Sequence, residues 1–136
     1  MPYYLLITLA IVFDIALALF HALFRKLPLL HWKRDLRRIS SVNRGLLQIL
    51  NICLIYVFIG FAALVYRSFD QGMQFSDQIT MFGIAAFWLM RMVLQFLYFP
   101  LRNRLSIFFG LLFFTGFWLH FLPALFVLLV DVSERG

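Results

Sequence analysis

Charge is scarce in this sequence. Only 13% of its residues are Asp, Glu, Lys or Arg, about half the share of an ordinary soluble domain. A short chain has much surface for its volume, and a soluble one needs polar side chains to cover it. With 64% of the residues hydrophobic, that cover is missing, which excludes a soluble core. Cysteine is nearly absent as well. The one thiol, Cys53, sits in an apolar run and reads as a small buried or lipid-facing side chain. It excludes an intramolecular disulfide, a CxxC redox pair and a Cys/His zinc site. Motifs for hydrolysis, phosphoryl transfer or dinucleotide binding are missing, and so are internal repeats. The catalytic assignment is therefore none, and no cofactor is identifiable.

What the chain does have is four long apolar runs: Tyr3 to Phe24, Gly45 to Tyr66, Ile79 to Phe99 and Leu105 to Val130. A helix crossing lipid needs about 20 such residues. Helices that are apolar nearly all round belong inside a protein or a bilayer. The fold class expected is all-α, one membrane domain of four spanning helices over residues 1–136. The first run starts without a basic residue and continues past Ala16-Leu17-Ala18. It reads as a retained helix and not as a cleaved signal. Ser76 and Asp77 suit the start of the third helix, and Pro100 should stop it. Pro123 inside the fourth run predicts a kink or an early end. Lipid contact accounts for the abundance of phenylalanine.

Positive charge dominates negative, with 12 Lys and Arg against 6 Asp and Glu. The excess is concentrated between the first two runs, at Arg25, Lys26, Lys33, Arg34, Arg37, Arg38 and Arg44, with Arg102 and Arg104 in the third connection. Basic residues in short loops stay cytoplasmic. Both termini are therefore expected outside, in the plasma (inner) membrane of the cell. Within the first loop, Trp32, Leu36 and Ile39 recur at helical spacing among Lys33, Arg34, Arg37 and Arg38. That is the pattern of a short interfacial amphipathic helix, from Leu29 to Ile39, facing anionic lipid headgroups or a protein partner. Nucleic acid is not an expected partner of so short a basic stretch held at a membrane.

Ionisable groups inside hydrocarbon are expensive and mark candidate sites. Asp14 lies roughly 16 Å and Arg91 roughly 18 Å from the outer edge, so their matching depth predicts a pair. Gln95 shares a helical face with Arg91, and His21 shares one with Asp14. Arg44, Gln48 and Asn51 share a third. If these faces converge, they line a polar pocket for an anionic or hydrogen-bonding solute, opening to the cytoplasm. One bundle is barely wide enough for a pathway, so a homo-oligomer is expected to build it. The leading expectation is a small membrane protein that binds or conducts such a solute. The same residues also suit interhelical hydrogen bonding without transport. In that alternative the basic loop docks lipid or a partner. A third reading, a haem-binding or other redox protein, has only His21 and His120 as ligand candidates. Their different depths do not suit one haem within a subunit.

Overall fold

The computed structural model describes residues 2–24, 26–27, 31–70, 73–99 and 104–135, without the side chains of residues 2, 32, 33 and 131–135. Five helices follow in chain order: α1 (Pro2–Leu23), α2 (Trp32–Leu36), α3 (Ser41–Asp70), α4 (Phe75–Tyr98) and α5 (Arg104–Arg135). Four of them, all but α2, are long and apolar enough to cross a membrane. The chain is a multi-pass membrane protein by that measure. In α3, only 17% of the apolar window is buried inside the protein. Most of its apolar surface therefore needs a non-aqueous surrounding.

Helix limits follow local chemistry more closely than hydropathy. The apolar run from Gly45 to Tyr66 is extended to Ser41 at one end and Asp70 at the other. Ser40 Oγ accepts the N–H of Asn43 at 3.3 Å, the N-cap bond that starts a helix inside polar sequence. α4 begins at Phe75, ahead of the apolar run that starts at Ile79. Asp77 does cap this helix, although as its third residue: its Oδ2 accepts the Gln74 N–H at 3.0 Å. Ser76 lies within the first turn. At the other end Phe99 has φ −122° and ψ 132°. Those angles are the extended conformation that a following proline imposes.

The early end expected at Pro123 does not occur. Pro123 is buried inside α5, which continues to Arg135. Proline is tolerated in apolar helices where neighbouring groups re-satisfy the backbone. α2 covers part of the helix expected from Leu29 to Ile39: Arg37 to Ile39 form a turn and bend, while Leu29 and Leu30 lie outside the described residues.

Two compact units make up the chain: one is Met1–Ile11 with Ala63–Gly136, the other Val12–Ala62. In the first, α4 and α5 run antiparallel. Gln95 meets Ser106, Trp88 stacks on Phe113 and Phe82 meets Phe121. Partner numbers thus rise in α5 as they fall in α4. The buried stripe of α4 (Asp77, Gln78, Met81, Ile84, Ala85, Trp88 and Gln95) recurs at steps of three and four, the spacing of one helix face. On α5 the buried positions include Ser106, Gly110, Phe113, Gly116, His120 and Ala124. Gly110 lies close under Phe96: a Cβ there would stand 2.6 Å from Phe96 Cζ, so the exposed ring would have to shift. The unit also holds the start of α1, where Tyr3 stacks on Phe126 at 6.4 Å. In the second unit, the later part of α1 is joined to the earlier part of α3 through His21, Asn51 and Phe58.

Candidate functional site

Polar side chains on apolar helices draw attention because lipid offers them no partner. In the 12–62 unit, His21 and Asn51 form a reciprocal clasp. The Asn51 amide Nδ2 donates to the His21 carbonyl at 3.0 Å, and His21 Nδ1 lies 2.8 Å from Asn51 Oδ1. A backbone carbonyl can only accept, so the amide nitrogen must face it. Oδ1 then faces the ring, and Nδ1 must carry the proton. The clasp has a helical cause. His21 belongs to the last turn of α1, whose carbonyls lack intrahelical N–H partners. The Phe24 N–H reaches the His21 carbonyl at 3.3 Å, and Asn51 of α3 adds a second, shorter bond.

The His21 ring also stacks on Phe24 at 5.4 Å and lies 5.3 Å from Phe58, which is buried. Polar groups with such partners act as interhelical fastening, worth about 0.5–2 kcal/mol per bond in apolar surroundings. Arg44, expected to line a pocket, donates from Nη2 to the Ile39 carbonyl at 3.3 Å. It thereby ties α3 to the loop that precedes it. Gln48 lies on α3 half-buried. Asp14 is 0% exposed.

In the other unit, Gln95 Nε2 donates to Ser106 Oγ at 3.2 Å, and both residues are buried. This bond joins α4 to α5. His120 is buried, and its Nδ1 lies 2.8 Å from the Gly116 carbonyl one turn earlier in α5. That places the Nδ1 proton on a self-contained helical bond. Arg91 differs from these residues. Its Cζ stands 4.9 Å from the Phe113 ring centroid, and its enclosed Nε has no hydrogen-bond partner among the described residues. A cation over an aromatic face gains about 0.5–2 kcal/mol. A charged group at a helix centre costs about 2.5–3.5 kcal/mol on insertion scales. The ring therefore offsets part of that cost and leaves a remainder.

Phe113 itself is buried, flanked by Trp88 at 5.9 Å and by Phe109 at 6.2 Å. One turn further along α5, Phe117 stacks on Phe121 at 5.1 Å. The four phenylalanines recur every fourth residue, the spacing of neighbours on a helix surface. Lipid contact alone does not account for the phenylalanines of the chain, since Phe58 of α3 and Phe113 of this column are core residues. The periodic spacing was the signal in the sequence. It identifies a ring column along α5, and Phe113 in that column is the seat of Arg91.

Structure thus joins His21 to Asn51, Gln95 to Ser106 and Arg91 to Phe113. Asp14 belongs to the 12–62 unit and Arg91 to the other, and the pairing expected of them stays a proposal. Among the described residues no group of three or more His, Cys, Asp or Glu is placed to hold a metal ion. In the first connection, Arg34, Arg37 and Arg38 are exposed, whereas Leu36 is buried. Arg34 pairs with Asp35 at 3.2 Å, with both side chains exposed. Such a pair contributes little. The side chains of Trp32 and Lys33 lie outside the described residues. His31, just before α2, has φ 46°. It is exposed and reverses the chain in the left-handed region, which His tolerates better than branched residues. Comparison with protein-family models, with curated proteins and with solved structures finds no match to this chain.

Proposed function

We propose that the chain is a multi-pass protein of the plasma (inner) membrane, with both termini outside, whose basic first connection docks anionic lipid headgroups. The observation that supports this reading is the sorting of side chains about α2. Arg34, Arg37 and Arg38 are exposed while Leu36, between them, is buried. Leu36 packs the segment onto the protein and leaves its basic side outward, where anionic headgroups can reach it. Each Lys or Arg near an anionic surface contributes about 1 kcal/mol. Three together correspond to a preference of up to about a hundredfold at one site. His21 and Asn51 bond across α1 and α3 and Gln95 bonds to Ser106 across α4 and α5, which fits a protein that holds a surface in place.

The test is tryptophan quenching by brominated lipids in reconstituted vesicles. The wild-type chain should favour phosphatidylglycerol over phosphatidylcholine several-fold. The triple variant Arg34→Gln, Arg37→Gln, Arg38→Gln should bring that ratio to about one. An unchanged ratio in the triple variant rejects the reading.

A second reading has its own observation. Asp14 is fully buried within a span-length apolar helix, a placement that commonly marks an ion or solute path. In this reading the chain is a homo-oligomer that binds or conducts a small anionic solute, with Asp14 as the gate. Asp14→Asn should then abolish anion flux in vesicles while assembly persists. Flux that persists in that variant excludes the gate.

A further inference from the structure

Arg91 carries a permanent charge inside a helix long and apolar enough to cross a membrane. Phe113, 4.9 Å from its Cζ, covers one face of the planar guanidinium. An aromatic ring attracts the cation through its face but offers no acceptor to N–H donors that lie in the guanidinium plane. The Nε is enclosed and has no hydrogen-bond partner among the described residues. The group is therefore seated on its face, and since the side chain is half-buried with Nε its enclosed atom, the edge left for a ligand is that of the two Nη atoms. That edge presents two parallel N–H bonds at the separation of two oxygens on one oxyanion.

A route to the edge is visible on α4. Leu94 and Tyr98 follow Arg91 at steps of three and four, on the same side of the helix, and both are exposed. The stripe leads from Arg91 to the end of α4 at Tyr98, seven residues on and about 10 Å away. A phospholipid headgroup drawn in from that end comes within reach of the charge, with its acyl chains lying deeper along the span. Shallow headgroup penetration of this kind is one way that bilayers accommodate arginine.

We propose that Arg91, seated on Phe113, binds one phosphate oxyanion per chain within the membrane span, donating to it through the guanidinium edge. Phospholipid and inorganic phosphate carry the same chemistry, and the exposed stripe favours the lipid. The site lies in a different unit from α2. It depends neither on the basic connection nor on solute flux.

Native mass spectrometry of the full chain tests this in two arms. One arm uses micelles supplied with phosphatidylglycerol and phosphatidylcholine, the other lipid-free micelles with inorganic phosphate. Wild type should keep one phospholipid under activation that strips the rest. Arg91→Gln should lower that retained fraction at least tenfold. Arg91→Lys should fall between them, because an ammonium has charge without the planar fork. The triple variant of Arg34, Arg37 and Arg38 should retain the lipid as wild type does. A phosphate adduct in the second arm with no retained lipid in the first supports the site and assigns it to the free anion. The proposal is overturned if wild type keeps no phosphate-bearing molecule in either arm. Equal retention by Arg91→Gln, or loss in the triple variant, also overturns it. Should Arg91→Gln lack helical circular dichroism, Phe113→Leu, which leaves the charge in place, decides instead. Several-fold weaker retention supports the site and unchanged retention removes it.

Discussion

Replacing Asn51 by leucine removes both bonds of the His21 clasp while keeping the number and branching of the side-chain heavy atoms. The bonds measure 2.8 and 3.0 Å, within the range of well-formed hydrogen bonds. Interhelical bonds in apolar surroundings contribute about 0.5–2 kcal/mol each, so the pair sets a loss of roughly 1–4 kcal/mol. Part of this falls on the His21 carbonyl, which loses a donor at the end of α1 where the helix itself supplies few. The remainder falls on the imidazole N–H. A double-mutant cycle with His21→Phe separates the two. The ring substitution removes only the side-chain bond, so the coupling between positions 21 and 51 should be about 1 kcal/mol. Reversible unfolding in mixed micelles, followed by circular dichroism, measures each corner. A leucine variant as stable as wild type would falsify the clasp. A coupling below about 0.3 kcal/mol would leave the carbonyl bond as its only energetic part.

Two other expectations concern packing and charge. Gly110→Ala places a methyl group against the Phe96 ring. The clash offsets the ~1 kcal/mol that alanine gains over glycine in a helix. Stability should therefore change little in the wild-type chain and rise by ~1 kcal/mol in a Phe96→Ala background; equal effects in both backgrounds refute the contact. The lipid preference of the basic connection should also fall steeply between low and molar salt, because exposed charges are screened. A salt-independent preference would assign the lipid to an enclosed site instead.

Much of the fold was legible from runs of apolar residues, because a spanning helix needs its length in one piece. The stop before Pro100 was legible too, since the constraint on Phe99 is local and steric. The added turn at Ser41–Arg44 was not, because hydropathy is silent where a helix continues into polar sequence. The bond from Ser40 to Asn43 shows that the cap was the better marker. The tolerance of Pro123 was hidden for another reason. Breaking a helix at proline depends on whether surrounding groups replace the lost bond, and those groups come from tertiary packing. The joining of His21 to Asn51 belongs to the same class. Their depths were readable from a rise per residue, but their facing one another depends on the rotation of α1 and α3. Near-uniform apolar helices leave that rotation unspecified.

Depth alone does not separate fastening from function among these polar residues; the state of their donors and acceptors does. Asn51 has its amide nitrogen and its oxygen both engaged across a helix pair. Gln95 directs its amide nitrogen to Ser106, and His120 turns its Nδ1 onto its own helix. Each of these arrangements is complete enough to explain why the residue is tolerated in an apolar segment. Arg91 has more donors than any of them and is held by a ring that accepts none. A leucine at position 51 would remove a fastening with its partners. A leucine at position 91 would remove a charge whose only partner among the described residues is Phe113. The first substitution should therefore destabilise, whereas the second removes a desolvation cost along with a modest cation–π gain. An Arg91→Leu variant that unfolds no more readily than wild type would mean that the arginine is kept for what it binds. A loss comparable to that of Asn51→Leu would return it to the fastenings.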